Sequence, residues 1–209
     1  MGHSTGCQDT MEYLTGEGSE GRPGLDGAVL QAPVSDREAI RMIMEDEAYE
    51  RSLAMAQALI SDNRGADILP SDLTSNIFGP APCSANRWYS LVSPAGSTTI
   101  ATGTEDFFSS DLPTSRLQKT FGRIPPSTPL CILYSGRDEF VPGYVDRGEL
   151  VRTWIEAVKK GGGVVDERHS GVVEGATHSL IRVPEAVMGD FVERVVGFLK
   201  GLEGREQRI

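Results

Sequence analysis

Residues 2–6, Gly-His-Ser-Thr-Gly, constrain the fold more than any other part of this 209-residue chain. They have the form G-x-S-x-G, in which a serine lies on a strained turn between a β-strand and a helix. We expect both glycines to be needed, because the turn brings backbone segments so close together that a Cβ atom would clash. Residues 7–14 predict the helix, and Gly16 and Gly18 predict its end. The pattern also needs a strand before Ser4, where only Met1 precedes the motif.

The composition argues against several classes of function. The formal net charge is −10, whereas binding of nucleic-acid phosphates needs clustered Lys and Arg. No apolar run approaches the length of a membrane span and no signal peptide is visible, so we expect no membrane association. Three widely spaced cysteines, Cys7, Cys83 and Cys131, match neither a disulfide framework nor a zinc signature. They indicate a reduced, cytoplasmic setting.

Buried strands alternate with amphipathic helices along the chain. Strands are predicted at residues 27–34, 128–135 and 164–173, and helices at residues 35–60, 146–160 and 184–201. The first two strands are mostly apolar rather than alternating, as parallel strands covered on both faces should be. This order of elements predicts an α/β fold, with a parallel sheet flanked by helices.

A long segment interrupts this alternation. From residue 61 to 115 the periodicity weakens, which is typical of a lid or a binding loop within a compact domain. We therefore predict one domain, residues 1–209, with a core at 1–36 and 116–209 and a helical or irregular lid insertion at about 37–115. Four aromatic residues are candidate apolar contacts of the lid or, equally, its anchors to the core: Trp88, Tyr89, Phe107 and Phe108.

Three polar side chains follow predicted strands, at the edge of a parallel sheet where ligands bind. Ser4 lies on the turn of the motif, Asp138 follows the strand at 128–135, and His178 follows the third strand. A serine hydroxyl becomes a good nucleophile when an imidazole takes its proton, and a carboxylate fixes the tautomer of that imidazole. The order Ser, Asp, His is that of α/β-hydrolases. We expect the three to converge, with His178 within hydrogen-bond reach of both others.

The acid of this relay has one rival, and the base has two weaker ones. Asp36 also follows the end of a strand, but the tight turn at residues 135–142 favours Asp138. His3 only flanks the serine, and His169 lies within the third predicted strand rather than at its end. Neither of these histidines is a good candidate for the base.

Six segments carry a resemblance to a known superfamily: GHSTGCQD at 2–9, LQAPVSDREA at 30–39, NRWYSL at 86–91, DFFSSDL at 106–112, SGRDEFVP at 135–142 and GATHSL at 175–180. The chain resembles α/β-hydrolases over nearly its whole length, and more narrowly the fungal and plant group that includes the siderophore (fusarinine-type) esterases. The resemblance implies Ser4 as nucleophile, Asp138 as acid, His178 as base and the backbone N–H of Thr5 as oxyanion donor. It implies a hydrolase of small-molecule esters that needs no metal or cofactor.

The resemblance also implies a departure at the start of the chain. An α/β-hydrolase has further strands before the elbow, and none is visible here, so Met1 is interpreted as an internal methionine or as the product of an incomplete gene sequence. The loop that supplies the second oxyanion N–H would be absent with them. We expect the strand at 27–34 to be an uncovered sheet edge. The chain expressed alone is therefore expected to be poorly soluble and to have little esterase activity.

Three functions stay open at this point. The leading hypothesis is a serine esterase that acts through an acyl-enzyme on Ser4. The second is a non-catalytic remnant that keeps the three residues and has a binding role or none. The third is an acyltransferase, amidase or peptidase of the same fold, which the sequence does not separate from an esterase.

Overall fold

The computed structural model describes residues 1–93 and 105–206. Its strands are β1 (Gly2–His3), β2 (Ala28–Gln31), β3 (Leu130–Ser135) and β4 (Gly171–Val173). Its helices are α1 (Thr5–Thr15), α2 (Asp36–Ile43), α3 (Asp46–Ser61), α4 (Ser71–Phe78), α5 (Ala85–Val92), α6 (Thr114–Lys119), α7 (Arg147–Lys160) and α8 (Glu185–Glu206). The chain forms two compact units: a core unit, Met1–Val34 with Leu112–Ile209, and an insertion unit, Ser35–Asp111.

The four strands of the core unit form one sheet in the order β1-β2-β3-β4, and every pair is parallel. In this register Leu30 of β2 lies opposite Gly2 on one side and Ile132 on the other. Because parallel strands end at the same edge of a sheet, the residues after β1, β3 and β4 are brought to one edge. The predicted parallel sheet with flanking helices is confirmed.

Helices cover both faces of this sheet. Cys131 and Leu133 of β3 pack in one apolar cluster with Phe198 of α8. Tyr134, whose side chain points to the opposite face, lies 5.7 Å from the ring of Trp154 on α7, measured between ring centroids. The apolar composition of β3 is therefore explained by burial on both sides.

The insertion unit is helical. Its predicted first helix, residues 35–60, is in fact two helices, α2 and α3, with a break at Met44 and Glu45. The Oγ atom of Ser35 accepts the N–H of Glu38 at 3.0 Å, as expected for an N-cap. Beyond residue 61 the predicted helical or irregular insertion contains two helices, α4 and α5, although the periodicity of the sequence is weak there. Residues 94–104 of the predicted lid lie outside the described residues, and its role as a lid stays a prediction.

Two further expectations about the strands are corrected. A strand does precede Ser4, because Gly2–His3 pair with Leu30 and Gln31, so the sheet has four described strands instead of three. The strand at 27–34 is not an uncovered edge: Ala28, Val29, Leu30 and Val34 are each at most 7% exposed. The apolar side chains of this segment are therefore buried, although the sequence led us to expect them to be exposed.

The last strand and the last helix also differ from their predicted extents. Only Gly171–Val173 of the predicted strand at 164–173 joins the sheet, while Val165 makes an isolated parallel bridge to Leu130. Helix α8 continues past Gly201 to Glu206, since a single glycine lowers helix propensity without ending a helix that is held by packing. No helix in the described part of the chain is long and apolar enough to cross a membrane.

Candidate active site

Ser4 lies at the sharp turn between β1 and α1. Its backbone angles, φ 54° and ψ −125°, lie in a sparsely populated region for a residue with a side chain. Such a conformation costs on the order of 1–3 kcal/mol and persists where the surrounding structure enforces it. The N–H of Ser4 is held by the carbonyl oxygen of Gln31 at 3.2 Å. This is the strained strand-to-helix turn that the G-x-S-x-G pattern predicts.

The two glycines of the motif differ in what surrounds them. A Cβ atom on Gly2 would lie 2.1 Å from the carbonyl oxygen of Gly6 and 2.6 Å from Oγ1 of Thr10. A Cβ atom on Gly6 would meet no atom within 4 Å. The expectation that both glycines are sterically required therefore holds for Gly2 and is wrong for Gly6.

His178 and Asp138 form a buried pair at the carboxyl edge of the sheet. The Nδ1 atom of His178 lies 2.8 Å from Oδ2 of Asp138, and both side chains are almost fully buried. A carboxylate only accepts hydrogen bonds, so the proton between them is assigned to Nδ1. This leaves Nε2 of His178 to accept a proton from a third group.

The turn after β3 holds Asp138 in place. The second carboxylate oxygen, Oδ1, accepts the backbone N–H of Phe140 at 3.0 Å. From the start of α7, Nη2 of Arg147 reaches the backbone carbonyls of Asp138 and Val141, each at 3.4 Å. Both oxygens of the carboxylate are therefore partnered, and its orientation toward His178 is set by the local backbone.

The imidazole of His178 is enclosed by neighbouring side chains. Phe140 meets it edge-on at 4.8 Å between ring centroids, and the ring of His3 lies 4.9 Å away at a tilt of 47°. The backbone N–H of His178 donates to Oε2 of Glu139 at 3.0 Å, and this hydrogen bond lowers the pKa of the Glu139 carboxyl. The charged form of Glu139 thus helps to hold the turn that carries the imidazole.

Of the contacts expected among Ser4, Asp138 and His178, the described residues contain the one between His178 and Asp138. The pairing of His178 with Asp138 is observed, and Asp36, the rival acid, begins α2 of the insertion unit. Over residues 1–93 and 105–206 no hydrogen bond joins the Ser4 hydroxyl to the His178 ring. The contact between nucleophile and base therefore stays a prediction, as do the catalytic roles of the three residues.

The remaining predicted positions are also located. Thr5 is the first residue of α1, where backbone N–H groups have no acceptor within the helix, so its N–H is available to an oxyanion. His169 precedes β4 instead of lying within it, and its Nδ1 atom contacts Oδ2 of Asp166 at 2.6 Å. Its Nε2 atom lies 2.3 Å from where a Cβ atom on Gly197 would stand, which fixes the ring against α8. This second His–Asp pair is a packing element.

The cysteines are poor nucleophiles. All three are buried and free, and burial raises the pKa of Cys7 and of Cys131 to about 12. The Sγ atom of Cys7 contacts the carbonyl oxygens of Gly2 and Gln31 at 3.3 and 3.2 Å, so this thiol supports the turn beneath Ser4. In the part of the chain that the structure describes, no group of three His, Cys, Asp or Glu side chains could hold a metal ion.

Sequence reasoning missed three residues that hold the His178 turn: His3, Gln31 and Glu139. Only Gln31 left a visible signal, because it is a polar residue at the end of an otherwise apolar strand, Ala28–Gln31. The sequence gives no sign that His3 and Glu139 contact the backbone of His178. Both contacts join residues that lie far apart in the sequence.

Comparisons with known proteins agree with this fold. The chain is 35% identical to "Fusarinine C esterase sidJ" of Aspergillus fumigatus, over 97% of this chain and 66% of that protein. It is 33% identical to "Esterase AN6793" of Emericella nidulans, over 98% of this chain and 65% of that protein. Among solved structures, the siderophore hydrolase EstB from Aspergillus fumigatus matches with a TM-score of 0.74 and 34% identity, over 97% of this chain and 65% of that one.

These relatives are longer than the chain, which spans about two thirds of the length of the curated relatives that it matches. A family model described as "Protein of unknown function (DUF1749)" matches residues 1–200. The expected resemblance to fungal siderophore esterases is confirmed by the relatives and by the solved structure. The chain therefore belongs to the DUF1749 family, and it has an α/β-hydrolase fold.

Proposed function

We propose that this chain is a serine esterase in which Ser4 is the nucleophile, His178 the base and Asp138 the acid. The observation that carries the proposal is the buried hydrogen bond from His178 Nδ1 to Asp138 Oδ2, at the sheet edge where the strained turn of Ser4 also ends. The backbone of Ser4 is also held in a disfavoured conformation, and such strain is typical of functional sites. The names of the relatives, esterase and siderophore hydrolase, support the same reaction class.

The reaction follows from these roles. Oγ of Ser4 attacks the carbonyl carbon of the ester while Nε2 of His178 takes its proton, and the carbonyl oxygen becomes an oxyanion. The N–H of Thr5 and the positive end of α1 stabilise that negative charge. Collapse of the tetrahedral intermediate expels the alcohol, which takes the proton back from His178, and leaves an acyl group on Ser4. A water molecule, deprotonated by His178, then attacks the acyl-enzyme and releases the acid.

We propose a siderophore ester of the fusarinine type as the substrate. The proposal comes from the relatives, one of which is named as a fusarinine C esterase and another as a siderophore hydrolase. Neither a metal nor an organic cofactor takes part in this mechanism, because the serine, the imidazole and the carboxylate supply the nucleophile and the proton transfers.

A fluorophosphonate probe tests the proposed nucleophile. We expect the purified protein to be labelled once, and labelling to disappear in Ser4→Ala. Ser115→Ala, the same change at an exposed position of α6, is the matched control and should be labelled like the wild type. Folded wild-type protein that reacts neither with the probe nor with a p-nitrophenyl ester would instead favour the non-catalytic interpretation. Hydrolysis of fusarinine C, followed by mass spectrometry, tests the substrate.

A further inference from the structure

Both backbone polar groups of His178, its N–H and its carbonyl oxygen, are held by hydrogen bonds. Its N–H donates to Oε2 of Glu139 at 3.0 Å. Its carbonyl oxygen accepts from Nε2 of His3 at 3.1 Å and from Nε2 of Gln31 at 3.3 Å. These partners come from the ends of β1 and β2 and from the turn after β3, whereas His178 itself follows β4. All four strands therefore contribute to the placement of one imidazole.

Gln31 is the buried member of this set. It is 5% exposed, in a strand whose other residues are apolar, and a buried amide is costly unless it is hydrogen-bonded. Its backbone carbonyl accepts the N–H of Ser4 at 3.2 Å, while its side chain donates to the carbonyl of His178. Gln31 thus contacts the backbone of both Ser4 and His178, the two residues that would exchange a proton.

His3 reinforces the same link from the surface. It pairs with Gln31 across the β1–β2 ladder and directly precedes Ser4 in the chain. Its ring is exposed, lies beside the His178 ring, and donates to the same carbonyl oxygen as Gln31. The two donors therefore share one acceptor, so that the loss of either leaves the carbonyl partly held.

We propose that Gln31, assisted by His3, is a positioning residue that sets the placement of His178 relative to Ser4. The proposal rests on the proposed function, because it names what holds the nucleophile and the base in register. Neither residue takes part in the proton transfers; both act through the backbone to which the reacting groups are attached. Displacement of a reacting group by about 1 Å can lower a rate on the order of 100-fold, so loss of this support should be measurable.

The first test is Gln31→Met, which keeps the backbone carbonyl and the approximate size of the side chain but removes the donor. We expect the rate of fluorophosphonate labelling, and kcat for a p-nitrophenyl ester, to fall about 10- to 100-fold with little change in KM. Gln118→Met, the same change at a half-buried position of α6, is the matched control and should leave both unchanged. Wild-type rates in Gln31→Met would overturn the proposal.

A second measurement separates this proposal from the proposed function. The chain has three histidines, so their ring nitrogen signals in an NMR spectrum can be assigned with single substitutions of His3 and His169. We expect Gln31→Met to shift or broaden the His178 ring signals, and Gln118→Met to leave them unchanged. If the signals change although the wild type is not labelled by the probe, the positioning role stands and the esterase proposal fails. If labelling is Ser4-dependent but neither the signals nor the rates change, the positioning role fails alone.

Two further variants keep the test decisive if Gln31→Met does not fold. His3→Phe removes the second donor at an exposed position and should give a smaller loss of rate in the same direction. Gln31→Glu places a carboxyl group against the His178 carbonyl oxygen. The protonated carboxyl can donate a hydrogen bond to that oxygen, whereas the ionised carboxylate repels it. The rate of Gln31→Glu relative to the wild type should therefore rise as the pH is lowered. A ratio that does not vary with pH would contradict the proposed contact.

Discussion

Substituting the two glycines of the G-x-S-x-G motif one at a time should give opposite results. Gly2→Ala places a methyl group 2.1 Å from the carbonyl oxygen of Gly6 and 2.5 Å from its carbonyl carbon, where ordinary contacts are near 3.5–4.0 Å. Both atoms belong to the backbone of α1, so no side-chain rotation relieves the overlap. Gly6→Ala places its methyl group in open space, beside a groove of about 380 Å³ that Gly6 helps to line.

The expected magnitudes follow from these surroundings. Forcing an extra methyl group into a packed region typically costs about 1–3 kcal/mol, so Gly2→Ala should lower the free energy of unfolding by at least the upper part of that range. Gly6 lies in the first turn of α1 with an ordinary backbone conformation, since its φ is not positive. Replacing it by alanine restricts the unfolded chain and should raise the free energy of unfolding by about 0.4–1 kcal/mol.

Urea unfolding followed by tryptophan fluorescence measures both effects. The chain has two tryptophans: Trp154 is buried in the core unit and Trp88 in the insertion unit. A Trp88→Phe background therefore makes the signal report on the core unit, which contains the motif. In that background we expect the midpoint of Gly2→Ala to move to lower urea and that of Gly6→Ala to move slightly higher, with similar slopes. Gly2→Ala should also lose Ser4-dependent probe labelling, because Ser4 follows the displaced strand.

Equal urea midpoints for Gly2→Ala and Gly6→Ala would contradict both expectations. A stable Gly2→Ala protein would mean that α1 can move away from β1 at little cost. A Gly6→Ala protein as unstable as Gly2→Ala would mean that both glycines are required, as the motif alone suggested.

Three further predictions concern other sites. Burial raises the pKa of Glu38, which accepts from the N–H and hydroxyl of Ser110, so its contribution to stability is fully present below its unfolded pKa and is lost as the pH rises through the folded pKa; the thermal midpoint of the wild type relative to that of Glu38→Gln should therefore rise as the pH is lowered toward about 4.5, and a difference that does not vary with pH would contradict this. The buried thiols of Cys7 and Cys131, with pKa values of about 12, should not react with iodoacetamide at pH 8 in the folded protein and should react once it is denatured; rapid labelling of folded protein, located by mass spectrometry, would contradict this. Trp88 is fully buried, and its Nε1 atom donates to Oγ of Ser52 at 3.0 Å, so Trp88→Ala should cost about 3–5 kcal/mol of stability, measured by denaturant unfolding. The relative rates on different esters should stay unchanged, and a changed substrate preference would indicate that Trp88 contacts substrate instead of anchoring the insertion unit internally.

The fold class could be predicted from the sequence because its signals are local. The apolar run at residues 130–135 can only be buried on both faces, and the helical spacing of Leu150, Val151, Trp154 and Val158 specifies one apolar side of α7. The three polar residues Ser4, Asp138 and His178 were identifiable for the same reason, since each follows an element whose type the neighbouring residues determine.

Elements that depend on packing could not be predicted in this way. Residues 2–3 form a strand only because Leu30 and Gln31 lie beside them, and two residues carry no periodicity of their own. Helices α4 and α5 were obscured by prolines, serines and glycines around short apolar runs, and they are stabilised by a shared core to which Trp88 and Leu69 belong. In such short segments tertiary contacts decide the structure, because an isolated helix of eight residues is only marginally stable in water.

The sequence by itself determined the parallel α/β architecture, the order of the three polar groups and the turn that carries Ser4, because each depends on residue types within a few positions of one another. Only the tertiary structure decided that Asp138 is the carboxylate paired with His178, that Gly2 and not Gly6 is sterically required, and that Gln31 and His3 hold the His178 carbonyl. These contacts join residues 40, 147 and 175 positions apart, or depend on the free space around one atom. Such distances are set when the four strands align in register, and no local pattern encodes them.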